Sequence, residues 1–262
     1  MNRIYLKILF VGALLSMACT TKVSEWVLLN SDSEKYLLVY FHKNELTQSE
    51  NQQNKVLENQ FAPANLIFKT MKRTDIEKPY YALYFNNRII AEYAGSEELK
   101  HIARSPVREK IGDDLMAGQL CVMVYLKCGN TEKDEKGLKV IHKTLENSPF
   151  GNVISLVELD RNSVDESLLV SMLLNVESDL KDIDEPMVFG VFGRFRALEP
   201  LLAKGISEEN INLMIDFFTA DCSCLIKDHL PGSSILCNTN WEDPQPALVN
   251  SILDANSELM HH

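Results

Sequence analysis

The chain is short of positive charge: 26 lysines and arginines stand against 37 aspartates and glutamates in 262 residues. A chain that acidic, with no basic stripe, repels phosphate backbones, which excludes a nucleic-acid partner. Long apolar runs are scarce as well. Beyond residue 15 nothing approaches the ~20 consecutive apolar residues that a spanning helix needs. There is no Gly-rich phosphate loop, no Gly-x-Ser-x-Gly and no His-Glu-x-x-His, so no cofactor is expected. What remains is 45% hydrophobic and 24% charged, the balance of a packed globular protein. At roughly 150 residues per domain the length allows one large domain or two small ones.

Residues 1–7 carry Arg3 and Lys7, residues 8–15 are apolar, and Ser16-Met-Ala-Cys19 follows. A short positive segment, an apolar stretch too short for a bilayer and a small residue before a cleavage point make residues 1–18 an export signal. The junction Ala18-Cys19 resembles that of bacterial lipoproteins, with Ser16 where that family usually has leucine. The resemblance implies that Cys19 is acylated and becomes the mature N-terminus. At about 0.8 kcal/mol per buried methylene, several acyl chains (palmitate among them) would fix the chain at a membrane. Thr20, in place of the aspartate that marks inner-membrane retention, implies the outer membrane, facing the periplasm. Without residues 1–18 the chain keeps 24 basic residues against 37 acidic, a net charge of −13. Residues 19–33 read as a lipidated tether, and the body lies in a compartment where disulfides can form.

The rest carries one pattern twice. Tyr36-Leu-Leu-Val-Tyr-Phe41 and Leu120-Cys-Val-Met-Val-Tyr-Leu126 are apolar runs of strand length, suited to central strands buried on both faces. Helix-compatible stretches follow, residues 45–61 in the first copy and 131–147 in the second, the latter opened by a Thr131/Asp134 capping box. Farther on, Pro79 and Pro186 each precede a strand, a tight turn (Asn86-Asn87; Gly193-Arg194), a second strand, a glycine and a Ser-capped helix. Residues 153–159 supply another strand in the second copy, and residues 163–180 a crossover helix with Ser163 and Glu166 as its capping box. In the first copy residues 65–68 form the other strand, with almost nothing between them and Pro79.

This order resembles the thioredoxin fold, twice over. The fold class is therefore α/β: two thioredoxin-like domains in tandem, the first abbreviated, each a central sheet flanked by helices. The boundaries are 34–105 for the first, 106–118 for a linker, 119–224 for the second and 225–262 for a C-terminal tail, which wraps the second copy through Ile235, Leu236 and Trp241. The segments around Pro186, Cys222-Ser-Cys224 and Trp241-Glu242 are also similar to an uncharacterised family of bacterial envelope proteins.

A thioredoxin-like catalyst needs a thiol at the N-terminus of the helix after the central strand, where helix dipole and unpaired N–H groups stabilise a thiolate. The first copy has His42-Lys-Asn-Glu there and no cysteine. The second has Cys128-Gly-Asn-Thr131, with threonine where a resolving thiol belongs. A single-thiol mechanism would use Cys128 with Pro186 as the facing cis-proline, yet Asp184 and Glu185 beside the thiol would raise its pKa. Cys121, inside a strand, is structural. Cys222 and Cys224 close the last helix, and Cys237 follows; they are open to a structural disulfide stapling the tail, a redox pair or soft metal ligation, though no histidine at ligand spacing supports a metal. No catalytic residue is firm. The first expectation is a non-catalytic binding or scaffold module holding a protein partner in the envelope. The alternative is a thiol-disulfide or thiol-sensing protein working through Cys128 or the Cys222/Cys224 pair.

Overall fold

The computed structural model describes residues 21–256; the expected export signal and the acylated Cys19 lie outside the described residues. The chain opens with α1 (Val23–Asn30). The first unit follows: β1 (Tyr36–His42), α2 (Gln48–Phe61), β2 (Leu66–Lys72), β3 (Tyr80–Phe85) and β4 (Arg88–Tyr93), then a 3-10 turn over Ser96–His101. β1 runs parallel to β2 and antiparallel to β3, and β4 closes a sheet of order β2-β1-β3-β4. Thr47 caps α2 in a reciprocal box with Glu50, at 3.2 Å and 2.8 Å. Asn86 and Asn87 take φ of 47° and 62° in the β3–β4 turn, a conformation that asparagine tolerates and a two-residue hairpin demands.

α3 (Pro106–Met116), with Ser105 as its cap and proline at its first position, leads to the second unit. There β5 (Cys121–Lys127), α4 (Thr131–Asn147), β6 (Ile154–Asp160), α5 (Ser167–Leu173), β7 (Met187–Phe192), β8 (Arg196–Ala197), β9 (Leu201–Leu202) and α6 (Glu208–Thr219) succeed one another. The sheet order β6-β5-β7-β8 repeats that of the first unit, again with one parallel pair followed by antiparallel ones. Strand–helix–parallel strand followed by an antiparallel hairpin and a last helical turn is the thioredoxin-like arrangement, present twice. β10 (Ser233–Ser234) adds to β8 at the edge, β9 pairs with β7, and α7 (Cys224–Asp228) and α8 (Val249–Ala255) complete the chain.

β5 is buried along both faces. Val122, Val124 and Leu126 enter a core shared with α5 and with the α2 side of the first sheet, through Leu38, Leu57, Phe61 and Leu83. Cys121, Met123 and Tyr125 enter a second core with α1, α4 and α6. The first unit has no counterpart of α5. Leu37, Val39 and Phe41 of β1 share their face with Ile67 and Met71 of β2 and with Tyr80 and Tyr84 of β3. Val39, Phe41 and Ala82 at its centre are buried, with Ile76 from the β2–β3 turn packed against them and the Arg73 guanidinium 5.5 Å from the Phe41 ring centre. Ile67, Met71 and Ile89 stay exposed.

Three expectations change. The segment read as a tether is part of the body from Thr21 onward: α1 buries Val23, Val27 and Leu28 against the second unit, and the Val23 N–H donates to Ala220 O at 3.0 Å. The crossover helix is only seven residues, and before its start the Glu166 carboxylate accepts the Val107 N–H at 2.8 Å, capping α3 instead of its own helix. The tail wraps both units. The Tyr36 hydroxyl donates to Ser234 O (2.8 Å), Asn65 holds Ile235 and Cys237, and the Ile235 N–H donates to Phe195 O (2.9 Å). Ile235 and Leu236 thus lie buried between the units, while Trp241 stacks edge-on to Phe195.

Candidate functional site

β5 ends at Lys127 and α4 starts at Thr131, so Cys128 stands just before the helix, with Asn130 as the cap. The Asn130 side chain accepts the Lys133 N–H at 3.1 Å. Asp134, one turn into α4 and buried, reaches back to the loop: Oδ1 accepts the Cys128 N–H at 2.9 Å and Oδ2 the Gly129 N–H at 3.0 Å. The capping box expected between Thr131 and Asp134 is therefore not the one formed. A carboxylate takes the N–H groups of Cys128 and Gly129, which leaves the thiol that of Asn130.

Burial pushes the Cys128 thiol up; contact with Asp134 and the charge of Asp184 push it the same way, while the Asn130 N–H draws it down. The neighbours expected to matter divide their roles. Glu185 is tied to Lys133 at 2.7 Å, Asp184 meets Arg161 at 3.6 Å, and Lys127 turns to Glu158 at 3.3 Å. Pro186 is not a cis-proline, since no peptide bond among the described residues is cis. An X–Pro bond is trans by default, and here Pro186 continues β7: its carbonyl accepts the Ala203 N–H at 3.0 Å beside the β7–β9 pairing. A cleft of about 310 Å³ opens here, lined by Lys133, Lys136, Val140, Glu185, Pro186 and Lys204 among others.

At the matching place in the first unit the His42 ring donates through Nδ1 to Asn44 O at 2.8 Å and stacks on Tyr40. It brings no sulfur to the site.

The remaining cysteines are scattered. Cys121 is fully buried in the second core, where lack of solvent pushes its thiol far up. Cys222 is buried in the same core, and its N–H donates to Thr21 O at 2.9 Å. Cys224 begins α7, and its side chain lies outside the described ones. Cys237 sits in the other core, its thiol unbridged and pushed up to about 12 by burial, against the opposing pull of Thr239 and Arg108. The expected staple through Cys237 is thus not made, because the tail carries this residue between the two sheets and away from α6.

Sequence reasoning missed Arg108 and Asn65. Arg108, almost fully buried, donates to the carbonyls of Ile102, Arg104 and Leu236 (2.7–3.1 Å), tying first unit, linker and tail together. Neither residue belongs to a motif, and their partners are up to 172 positions away. Arg194 and Arg196, in and just after the turn between β7 and β8, are also structural: Arg194 donates to Leu28 O at 2.8 Å and Arg196 to Gly232 O at 2.6 Å.

No family model and no curated protein matches this chain. Among solved structures it is similar to the crystal structure of ERdj5 form II, at 9% identity and a TM-score of 0.28, over 79% of this chain and 30% of that one. The chain spans less than a third of that structure's length, and its thioredoxin-like architecture is read from the strand order and connections of its own two sheets.

Proposed function

We propose that the chain is a lipid-anchored envelope protein, held at the outer membrane facing the periplasm, whose two thioredoxin-like units form a non-catalytic binding or scaffold module. The observation that carries this reading is the clamp of Asp134 on the Cys128 loop. A thiol kept protonated beside a carboxylate, with threonine at the resolving position, is a poor nucleophile at neutral pH. The first unit has no thiol at all at the equivalent place. The exposed apolar side chains Ile67, Met71 and Ile89 on the first sheet favour a binding role over a purely inert one. Envelope location draws its support from residues 1–18 and the Ala18-Cys19 junction.

The test is alkylation of the exported protein at pH 7, followed residue by residue by mass spectrometry. Cys128 is expected to react more slowly than a cysteine in an unstructured peptide. Faster reaction, or a Cys222–Cys224 bridge opened by mild reductant, would replace the scaffold with a thiol-disulfide or thiol-sensing protein. The N-terminal peptide of the same sample reports the anchor, through the acyl mass on Cys19.

A further inference from the structure

We infer that the surface formed by the start of α1 and by α7 lies against the lipid headgroups, so that the second unit sits directly on the membrane; this rests on the lipid anchoring proposed above. If Cys19 carries the lipid, only Cys19 and Thr20 separate it from Thr21. Two residues span at most about 7 Å when extended. Thr21 does not begin a loose arm. Its carbonyl accepts the Cys222 N–H at 2.9 Å, the Lys22 ammonium reaches Asp221 at 2.8 Å, and the Val23 N–H donates to Ala220 O at 3.0 Å. Three successive residues are thus fixed to the end of α6 and the strand-like step after it. A flexible tether of some fourteen residues would let the body wander over roughly 20 Å and face any direction. This attachment leaves no such freedom, so the surface around Thr21 must meet the headgroup layer.

The side chains there suit that contact. Trp26 lies one turn into α1 and is half-buried, and the Lys227 ammonium from α7 stands 5.5 Å from its ring centre. Tryptophan and lysine together are an interfacial pair, an amphipathic ring with a cation that reaches toward water or phosphate. The buried Lys22 pairs with Asp221 at 2.8 Å, and with Lys227, Glu25 and Asp228 the charged groups here sum to −1, on a chain that carries −11 overall. An anionic leaflet repels so weakly charged a patch little, and the anchor supplies the attraction.

The chain has two tryptophans, and the second, Trp241, packs on Phe195 with ring centres 6.0 Å apart. The experiment uses the full chain, exported, purified in detergent and reconstituted in phosphatidylethanolamine–phosphatidylglycerol vesicles that contain lipid nitroxide-labelled near the headgroup. Fluorescence of Trp26 (read in W241F) should be quenched several-fold more than that of Trp241 (read in W26F). Comparing either variant with the wild type separates the two signals, so one variant that folds suffices. Equal or weaker quenching of Trp26, with the acyl mass present on Cys19, overturns the membrane-flush arrangement and leaves the anchor standing. An unmodified Cys19 overturns the anchor reading, and this inference with it.

Discussion

Asp134 accepts the backbone N–H of Cys128 at 2.9 Å, placing a carboxylate where a thioredoxin-like catalyst stabilises a sulfur anion. The second oxygen holds Gly129, so the loop is locked and its negative charge is a permanent neighbour of the thiol. Replacing Asp134 by asparagine removes the charge while keeping the shape. Cys128 of D134N should alkylate several-fold faster at pH 7, because only burial and the more distant charge of Asp184 then raise its pKa. Both loop N–H groups lose a charged acceptor, and the one that then faces the amide NH2 loses its acceptor altogether, at a cost of about 1–2 kcal/mol in stability. Alkylation rates against pH, by mass spectrometry, check this; an unchanged rate at pH 7 would show that the carboxylate does not govern the thiol.

Cys237 lowers stability at alkaline pH. Its pKa is pushed up to about 12 in the folded chain by burial, from an ordinary value of 9.0. The thiol is protonated in both states below about pH 9, so it contributes nothing to pH dependence there. Above that pH the unfolded chain loses a proton that the folded chain keeps, and stability falls by about 1.4 kcal/mol per pH unit until the folded thiol ionises. Between pH 9 and 10 the wild type should lose about 2–4 °C of Tm from this group. C237A should lose less over the same interval, because the group is gone, although it starts lower at pH 7 for its small cavity. Thermal melts of both proteins from pH 7 to 10 decide it, and parallel curves would remove Cys237 from the account.

The elements that were legible in the chain are those whose reasons are local. β1, β5, β6 and β7 are apolar runs of strand length, α4 keeps its expected limits, and Ser207 caps the helix that follows it, whereas the Ser-capped helix expected in the first copy is only a 3-10 turn over Ser96–His101, with no side-chain cap. What was hidden depends on distant partners. α1 has only three large buried apolar side chains in eight residues, too weak a stripe to tell from a tether. It is helical and docked because Gly193, Arg194 and Ala220, more than 160 positions on, receive it. Asp134 looked like a helix cap, since Asn130 took that task and left the carboxylate for the Cys128 loop. The turn at Gly193 also came out one residue longer than expected, with Phe195 at φ 61° buried between the units.

Asn65 joins the tail to the first sheet, and its loss should be costly. Its amide donates to Glu34 O at 3.0 Å and Ile235 O at 3.2 Å, and its oxygen accepts the Cys237 N–H at 2.8 Å. All three partners are backbone groups, and two of them belong to a segment packed between the sheets. N65A leaves buried donor and acceptor unpaired and should destabilise the chain by about 2–4 kcal/mol. Urea unfolding gives the magnitude, and limited proteolysis should cut sooner within residues 238–248. A loss under half a kcal/mol would mean that the tail is held by its apolar side chains alone.

Gly193 is where α1 meets the second sheet. It has φ +56°, and a methyl group on it would stand 2.3 Å from the Val27 Cγ1 atom. Both features oppose any larger residue: the backbone conformation is strained for an L side chain, and the space is taken by a buried valine on a helix tied down at both ends by Ala220 and Arg194. G193A should cost about 1–3 kcal/mol, and the relief route is for α1 to lift. Lys22, buried and paired with Asp221, then becomes accessible to trypsin. Tryptic cleavage after Lys22 should therefore accelerate in G193A well beyond cleavage at Lys139 on α4, which serves as an internal reference. Cleavage that speeds up equally at both sites would point to global unfolding, and unchanged cleavage after Lys22 would mean that the hairpin moves while α1 stays docked.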